Sequence, residues 1–276
     1  MCLNMKGLII VEVISSEHND KVKYLKKLYS SRNRKKMGKF ILEGYRIIEE
    51  AVKAGAEFDK IYMTVDFYKS KQGKLIYKLT DTNSIYFLEK KLLVEMADTS
   101  NPQGIIAVVN DIDYRIDDLF HRTSSLLLLD RIQDPGNMGT IIRTAAAAGF
   151  DGIIILKGSV DIYNLKVLRA TMGAIFNIPV IKNISLDLFN EYYQRHSQKY
   201  KLISTDLTGS KYYYHLDYND PVILTIGNEA NGISDSLLQL SDEIVKIPMS
   251  GEIESLNAGI AAGIIMYKVV ERNKNN

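Results

Sequence analysis

The stretch Leu126–Gly149, LLLLDRIQDPGNMGTIIRTAAAAG, decides the fold of the second half of this 276-residue chain. Its leucine run predicts a central parallel strand, Leu126–Asp130, because such strands are buried on both faces. A Pro-Gly turn follows. Asn137 is a strong N-cap residue, so we predict a helix over Met138–Ala148 that ends at Gly149. A strand, a turn and a helix in this order indicate a layered α/β unit.

The same alternation extends outward from this stretch in both directions. Short apolar or alternating runs predict strands at Lys39–Glu43, Phe58–Thr64, Ile85–Leu88, Gly104–Asn110, Gly152–Leu156, Lys201–Thr205, Val222–Ile226 and Ile244–Ile247. Longer runs predict helices at Tyr45–Ala54, Lys69–Leu79, Lys90–Met96 and Leu256–Glu271. The polar stretch Asp111–Ser125 is the candidate linker. We therefore predict an α/β fold of two domains, residues 1–112 and residues 122–276.

The composition is that of an ordinary globular protein, with 46% hydrophobic and 25% charged residues. No apolar run reaches the roughly 18 residues that a membrane span needs, and the N-terminus lacks the layout of a signal peptide. Cys2 is the single cysteine, and the four histidines show no ligand spacing. We therefore expect a cytoplasmic protein with no membrane partner and no metal.

Positive charge is concentrated near the N-terminus. Residues 1–40 hold ten Lys or Arg and three acidic residues, a balance of 10 − 3 = +7, whereas the whole chain carries +2. Such a basic arm favours a polyanion as partner, because Lys and Arg neutralise phosphates and release counterions. The charge alone is equally consistent with the solvated face of a helix. The candidate contacts are Arg32, Arg34, Lys35, Lys36 and Lys39.

Arg143 is an arginine on an otherwise apolar helix, six residues after Asn137. It should pair with another group or face a site, because an unpaired buried charge is costly. The alternative is a side chain that extends along the helix to reach water or a surface carboxylate. This segment alone does not decide between the two.

Two further segments place glycines and polar residues directly after predicted strands. They are Thr225–Ser234, TIGNEANGIS, and Ile247–Gly259, IPMSGEIESLNAG. Ligands in α/β sheets gather at the carboxyl ends of strands. An ordinary turn and an N-cap at Ser255 are simpler interpretations, but Asn257 in the first helical turn is unexpected because Asn is a poor helix former. The sequence contains no dinucleotide-binding, P-loop or nucleophile-elbow signature.

Together these segments resemble the three sequence motifs of the SpoU/TrmH branch of the SPOUT RNA methyltransferases. In chain order the matches are N-x-G-x-x-x-R at Asn137–Arg143, G-N-E-x-x-G at Gly227–Gly232, and I-P-M with S-L-N at Ile247–Asn257. The N-terminal half resembles the substrate-binding domain of many members, which is similar in fold to an L30e-type ribosomal protein. Arg32–Gly44 and Asn101–Gly104 carry that likeness.

The resemblance implies a C-terminal SPOUT-type parallel sheet with a deep trefoil knot, preceded by a smaller L30e-like α/β domain. It implies S-adenosyl-L-methionine as the cofactor, bound in the knot. It also implies RNA as the partner and a homodimer packed through the catalytic domain, with the active site near the interface. The basic arm then becomes the expected RNA contact. The cofactor contacts carried over are Gly227, Asn228, Ile247, Met249 and Leu256.

The family assigns deprotonation of the acceptor hydroxyl to the arginine of the first motif, here Arg143. A guanidinium is normally always protonated, so Arg143 acts either as a perturbed base or as a clamp on a phosphate. We expect Asn137 to orient Arg143 or the ribose. We expect Glu229 to shape the cofactor loop or pair with Arg143. Hydrogen bonds near the acceptor ribose are expected from Ser255 and Asn257.

The activity implied is 2′-O-ribose methylation of RNA, most specifically of 23S rRNA, because the Asp134-Pro135 pair resembles the rRNA-modifying members. A tRNA ribose methyltransferase is the alternative within the class, and the N-terminal domain weighs against it. A catalytically silent RNA-binding protein is the alternative outside it, and the presence of Arg143 and Glu229 argues against that. The sequence does not identify the target nucleotide, nor does it separate a housekeeping from an antibiotic-resistance enzyme.

Overall fold

The computed structural model describes residues 12–121, 125–250 and 255–271. The chain divides into two compact units. The first ends at Ile112 and also takes in Tyr163–Arg169, whereas the second comprises Asp113–Ile162 and the chain from Ala170 onward. The domain limits predicted at residues 1, 122 and 276 lie outside the described residues. Within the described ranges no helix is long and apolar enough to span a membrane, and no three His, Cys, Asp or Glu side chains group as a metal site.

The first unit is built on one mixed sheet. Its strands are β1 (Val13–Ile14), β2 (Lys39–Glu43), β3 (Phe58–Met63), β4 (Ile85–Leu88) and β5 (Ile105–Asn110). Its helices are α1 (Asp20–Lys27), α2 (Ser31–Met37), α3 (Tyr45–Lys53), α4 (Val65–Lys69), α5 (Lys71–Leu79) and α6 (Lys90–Met96). The strand order is β1-β4-β3-β5-β2, with β5 antiparallel to both its neighbours and β4 parallel to both of its own.

The second unit is built on an all-parallel sheet. Its strands are β6 (Leu126–Leu129), β7 (Gly152–Leu156), β8 (Val180–Ile184), β9 (Lys201–Thr205), β10 (Lys211–Tyr212), β11 (Val222–Ile226) and β12 (Glu243–Lys246). Its helices are α7 (Ile116–Phe120), α8 (Pro135–Ala148), α10 (Leu186–His196), α11 (Asp235–Leu240) and α12 (Ala258–Glu271), while α9 (Leu165–Thr171) spans the boundary of the two units. The strand order is β10-β12-β9-β11-β6-β7-β8.

The three adjacent strands β11, β6 and β7 are buried at every residue. Their continuous apolar sequences suit this position, because a parallel strand covered on both faces has no solvent side. Burial stabilises each Leu or Ile by roughly 1.5–3 kcal/mol relative to exposure. Since all the strands run parallel, their carboxyl ends share one edge of the sheet.

The predicted α/β class is confirmed, with a mixed-sheet unit before a seven-stranded parallel sheet. Two local predictions away from the sheet edge are wrong. The supposed linker contains α7, whose Ile116, Leu119 and Phe120 are buried in the core of the second unit. The helix predicted over Lys69–Leu79 is interrupted at Ser70, whose hydroxyl accepts from the Gly73 N–H and caps α5.

Candidate active site

The candidate site lies at the edge of the parallel sheet where β9, β11 and β12 end. The loops that follow these strands and the first turn of α12 enclose a cavity of about 460 Å³. Sites for small molecules typically measure roughly 300–1,000 Å³. All five residues predicted as cofactor contacts line this cavity, as do Glu229 and Ser255 of the predicted catalytic set.

The loop after β11 folds tightly back on itself. Asn228 and Gly232 exchange two backbone hydrogen bonds, each 3.0 Å from nitrogen to oxygen. Gly232 has a φ of +61°, in the left-handed region that favours glycine. At Gly227 there is no room for a side chain, since a Cβ there would lie 2.5 Å from the carbonyl carbon of Gly232. Close backbone packing at Gly227 and the left-handed conformation at Gly232 therefore explain the two glycines of the G-N-E-x-x-G pattern.

The Asn228 side chain fastens this loop to the one after β6. Its Nδ2 donates to the carbonyl oxygen of Arg131 at 2.8 Å, and its Oδ1 accepts from the backbone N–H groups of Ala230 and Asn231. Asn228 is buried, so leaving these polar atoms unpaired would cost roughly 1–3 kcal/mol. Asn228 thus lines the cavity, but both polar atoms of its side chain already have hydrogen-bond partners in the protein. Its side chain therefore holds the loop in place.

Asp130 gives a second link between the same loops, which sequence reasoning misses. Its carboxylate is only 2% exposed and accepts from the backbone N–H of Ser234 at 2.8 Å and from Nε of Arg131 at 3.1 Å. Arg131 takes a left-handed φ of +55° beside it. An acidic residue directly after four leucines is the signal that could have found this link, because a buried charge needs partners.

Asn137 stands at the centre of a line of hydrogen bonds. Its Nδ2 donates to Oε1 of Glu229 at 2.9 Å, and its Oδ1 accepts from Nδ2 of Asn257 at 2.8 Å. The prediction that Asn137 caps α8 is wrong, because Asp134 is the N-cap and accepts from the Asn137 N–H at 2.8 Å, with Pro135 in the first turn. The Asn137 side chain is thereby left for the site.

Asn257 both joins this line and starts the last helix. Its Oδ1 accepts from the backbone N–H groups of Gly259 at 3.0 Å and Ile260 at 3.2 Å, which is the bonding of an N-cap. The helix therefore begins after Asn257, and the predicted start at Ser255 is wrong. Asn is a poor residue inside a helix but a good one at its cap, which explains why it occurs here.

Glycine at position 259 lets α12 approach α8 closely. A Cβ added there would lie 3.3 Å from Cγ2 of Thr140, tighter than an ordinary contact. The two helices that carry Asn137 and Asn257 therefore pack directly against each other, and this packing sets the distance that their side-chain hydrogen bond spans.

Arg143 is not brought into this cluster. Its side chain is exposed, it does not line the cavity, and among the residues that the structure describes it has no hydrogen-bond or ion-pair partner. Arg143 lies six residues after Asn137, and six steps of about 100° leave the two side chains about 120° apart around α8. Within a single chain the alternative interpretation, a side chain that extends to reach water, is the one that fits, because this face of the helix is open.

The five basic residues predicted to contact RNA fall into two groups. Arg32, Lys35 and Lys36 are exposed on α2. Arg34 is buried, and its guanidinium donates to the carbonyl oxygens of Leu28 at 3.1 Å and Tyr29 at 2.9 Å. The inclusion of Arg34 among surface contacts is therefore wrong. Helices α1 and α2 both lie within the basic N-terminal segment. For the basic residues on these helices, the alternative interpretation of a solvated helix face therefore applies.

Lys39 is engaged in an ion pair inside the first unit. Its Nζ lies 2.6 Å from Oδ1 of Asp59, and the Tyr24 hydroxyl donates to the other carboxylate oxygen at 2.7 Å. Partial burial works to raise the pKa of Asp59, but the hydrogen bonds from Lys39 and Tyr24 and the charge of Lys60 outweigh it and hold that pKa below its usual value. Lys39 is therefore a weak candidate for binding RNA.

Comparison with known proteins gives a match for each half of the chain. Residues 124–267 match the SpoU rRNA Methylase family, and residues 19–107 match the MRM3-like substrate binding domain. The 23S rRNA (guanosine(2553)-2′-O)-methyltransferase RlmP of Bacillus subtilis is 32% identical to this chain and aligns over 92% of it and 97% of its own length.

Two further matches come from Streptomyces viridochromogenes. Its 23S rRNA (uridine(2479)-2′-O)-methyltransferase is 31% identical over 89% of this chain and 87% of its own length. The crystal structure of its SpoU methyltransferase AviRb in complex with the cofactor AdoMet matches with a TM-score of 0.85 and 28% identity, covering 94% of this chain and all of that one. From the fold, the three motifs and these matches, the chain belongs to the SpoU rRNA methylase family and carries an MRM3-like substrate-binding domain ahead of its methylase domain.

Proposed function

We propose that this protein transfers a methyl group from S-adenosyl-L-methionine to a ribose 2′-hydroxyl of 23S rRNA. The observation that carries the proposal is the cavity of about 460 Å³, which the second and third family motifs enclose beside the Asn137–Glu229–Asn257 line. Two relatives that align with most of the chain are named for 2′-O-methylation of 23S rRNA.

The cavity lining fits the cofactor. Ile226, Ile247, Met249 and Leu256 offer apolar surface, while Asp206 and the backbone at Gly227 offer polar groups. Such a mixture suits a molecule with an aromatic base, a ribose and a charged amino-acid tail. Gly227, Ile247, Met249 and Leu256 would hold the cofactor, which supplies a methyl group already activated by its sulfonium. The related AviRb structure contains AdoMet.

The residues of the hydrogen-bonded line divide into positioning and contacting groups. Both polar atoms of the Asn137 and Asn257 side chains are occupied by protein partners. We therefore assign them the task of holding Glu229 and the start of α12 in place. Glu229 and Ser255 are exposed and border the cavity, so they are the groups that reach substrate or cofactor. Fixed geometry of this kind serves a reaction that depends on aligning donor and acceptor.

We further propose a homodimer in which Arg143 of one subunit serves the cavity of the other. Arg143 does not line its own cavity, and α12, which packs against α8, exposes two large apolar side chains, Ile260 at 56% and Tyr267 at 53%. A second copy covering this face would bury both. Arg143 then acts as the base or the phosphate clamp that the family resemblance implies. Sedimentation velocity tests the dimer, and an Ile260→Glu/Tyr267→Glu variant should sediment as a monomer without activity.

The substrate-binding role belongs to the first unit in this proposal. We propose residues 1–112 as an L30e-like RNA-binding domain and residues 122–276 as the catalytic domain, which agrees with a unit boundary at Ile112 but not with the grouping of Tyr163–Arg169 with the first unit. Arg32, Lys35 and Lys36, exposed together on α2, are the proposed phosphate contacts.

The trefoil knot is likewise a proposal. It is supported by the position of β12 between β9 and β10 in the parallel sheet and by close approaches of backbone to backbone. A Cβ on Gly209 would lie 2.7 Å from the carbonyl carbon of Val245 and 2.9 Å from the backbone nitrogen of Lys246, both in β12. Segments this close leave room only for glycine where one part of the chain passes another.

To test the proposed activity, the purified protein and S-adenosylmethionine carrying a labelled methyl group are incubated with one RNA at a time. The three RNAs are 23S rRNA, 16S rRNA and tRNA. We expect label only in 23S rRNA. After alkaline hydrolysis the label should remain in a dinucleotide, because a methylated 2′-oxygen cannot cleave the neighbouring phosphodiester bond. Label in tRNA alone would show that the substrate is tRNA and would contradict the assignment to 23S rRNA. RNA binding without any label, in a protein that binds the cofactor, would point to the catalytically silent alternative.

A further inference from the structure

A run of aromatic residues lies beside the cavity and has no part in the mechanism above. Lys211–His215 reads KYYYH, and its first two residues form β10, the edge strand of the parallel sheet. In the register of the sheet Tyr212 stands opposite Lys246, the last residue of β12. Because the two strands are parallel, the aromatic run leaves the sheet at the same edge as the loops that enclose the cavity.

Three of these rings pack together, with Tyr212 and Tyr214 stacked and His215 edge-on to both. Tyr212 and Tyr214 have centroids 5.5 Å apart and planes only 15° from parallel, and the His215 ring meets Tyr214 edge-on at 4.5 Å. Tyr212 is 38% exposed and Tyr214 is 42% exposed. Two stacked rings open to solvent form a ready surface for a further planar group, since aromatic faces attract each other in offset stacks.

The turn that carries the rings is held in place from beneath. The buried Tyr218 donates its hydroxyl hydrogen to the carbonyl oxygen of Tyr213 at 2.7 Å. Leu216, next in the chain, is also buried, and α12 packs against the turn Tyr213–His215. Rings that are already fixed lose little conformational freedom when a ligand stacks on them.

A cation joins this aromatic surface to the cavity. The Nζ of Lys246 lies 5.5 Å from the centroid of the Tyr212 ring, and Lys246 also lines the cavity. Within the described part of the chain Lys246 has no carboxylate partner, unlike Lys211, which pairs with Glu243 at 2.7 Å. An unpaired ammonium between stacked rings and a cavity suits a phosphate that links two nucleotides.

We propose that Tyr212 and Tyr214 form a stacking platform for an unpaired base of the RNA substrate, with Lys246 contacting a phosphate between that base and the cavity. The inference rests on the proposed function, which it deepens by naming how single-stranded RNA is held near the site. Sequence-specific RNA recognition targets splayed bases that stack on aromatic side chains. Each such stack contributes roughly 1–3 kcal/mol to binding, which is about a fivefold to hundredfold change in affinity.

The first experiment compares two double variants of the full chain. Tyr212→Leu/Tyr214→Leu keeps apolar bulk but removes the rings, whereas Tyr212→Phe/Tyr214→Phe keeps the rings. We expect the Leu pair to raise the Kd and KM for a 23S rRNA transcript by about fivefold or more and the Phe pair to restore wild-type values. The affinity for S-adenosylmethionine should not change. The salt dependence of RNA binding should also be unchanged in the Leu pair but reduced in Lys246→Gln, because only the latter loses a phosphate contact.

A second experiment uses the absence of tryptophan from the sequence. Tyr212→Trp places the one tryptophan of the variant on the platform, and its emission, excited at a wavelength that tyrosine does not absorb, should be quenched by a single-stranded RNA oligonucleotide that stacks on it. Leu188→Trp is the matched control, since Leu188 is similarly exposed, at 37%, on α10, which follows β8 at the opposite edge of the sheet. Its emission should not respond.

The outcomes separate this proposal from the proposed function. If the wild type methylates RNA but the Leu pair keeps wild-type Kd and KM, the platform is wrong and the activity stands. If the wild type transfers no methyl group yet the Leu pair loses RNA affinity, the activity is wrong and the platform stands. A Leu pair that changes only its sedimentation coefficient would overturn the platform in favour of a protein interface at these rings.

Discussion

Gly227→Ala is the substitution whose effect follows most directly from the geometry of the cofactor loop. The added Cβ would lie 2.5 Å from the carbonyl carbon of Gly232 and 2.5 Å from the backbone nitrogen of Ile233. Both are backbone atoms, so no rotation of a side chain can relieve the contact. Since Cβ contacts below 3.0 Å essentially do not occur, the two segments must separate by at least 3.0 − 2.5 = 0.5 Å.

That separation breaks the pairing that closes the loop. The two hydrogen bonds between Asn228 and Gly232 are 3.0 Å long, and half an ångström more brings them to the limit of such a bond. Losing them costs about 1 kcal/mol each, and the overpacking adds roughly 1–3 kcal/mol. If only the native loop conformation binds the cofactor, destabilising that conformation by about 3 kcal/mol lowers the affinity of the protein for the cofactor by roughly 100-fold.

The assay is calorimetric titration of S-adenosylmethionine into the wild type and the variant. Gly263→Ala is the matched control, because a Cβ there meets only Cγ2 of Thr144 at an ordinary 3.8 Å. The control should bind cofactor like the wild type and gain about 0.5–1 kcal/mol of stability from replacing a helical glycine. A Gly227→Ala protein that binds the cofactor within threefold of the wild type would refute the steric reasoning.

Three further predictions concern the supporting groups. Asn137→Ala removes the hydrogen bonds to Glu229 and Asn257, so chemical denaturation should give a free energy of unfolding lower by about 2 kcal/mol. The rate of methyl transfer should fall more than the affinity for the cofactor, and an unchanged kcat would contradict the positioning role. Arg34→Gln should lower the Tm by several degrees because two carbonyls lose a charged donor. Lys35→Gln should keep the Tm and reduce the slope of log RNA affinity against log salt concentration by about one. Equal Tm values for the two variants would contradict the distinction between a buried Arg34 and an exposed Lys35. The pKa of Asp59 is lower in the folded protein, so its contribution to stability is present above the unfolded value of about 3.9 and is lost as the pH falls through the folded one. Urea midpoints of wild type and Asp59→Asn should therefore differ most near neutral pH and converge as the pH falls below the unfolded pKa and through the folded one.

Much of the fold could be read from the sequence where a strand is a continuous apolar run. Val222–Ile226 and Gly152–Leu156 have the predicted limits because proline, glycine or charged residues flank an uninterrupted buried stretch. β8 has no such signal, since Lys182 and Asn183 interrupt it at the edge of the sheet. Helix α7 is hidden among acidic residues, although Ile116, Leu119 and Phe120 have helical spacing.

The site could be predicted only in part. Family resemblance predicts the motif residues, but local rules do not choose between Asp134 and Asn137 as the cap of α8, since both residue types serve that role. The hydrogen bonds from Asn137 reach residues 92 and 120 positions away, and no spacing rule joins positions so distant. Counting charges likewise could not reveal that Arg34 is buried while its neighbours are exposed.

The most direct test of the central claim is to map ribose methylation on 23S rRNA treated with S-adenosylmethionine and either the wild type or Arg143→Ala, with cofactor binding measured for both. We predict one new 2′-O-methyl mark with the wild type, none with the variant, and similar cofactor affinity for the two proteins. Methylation of a base instead of a ribose, or a ribose mark made at the wild-type rate by Arg143→Ala, would contradict the account.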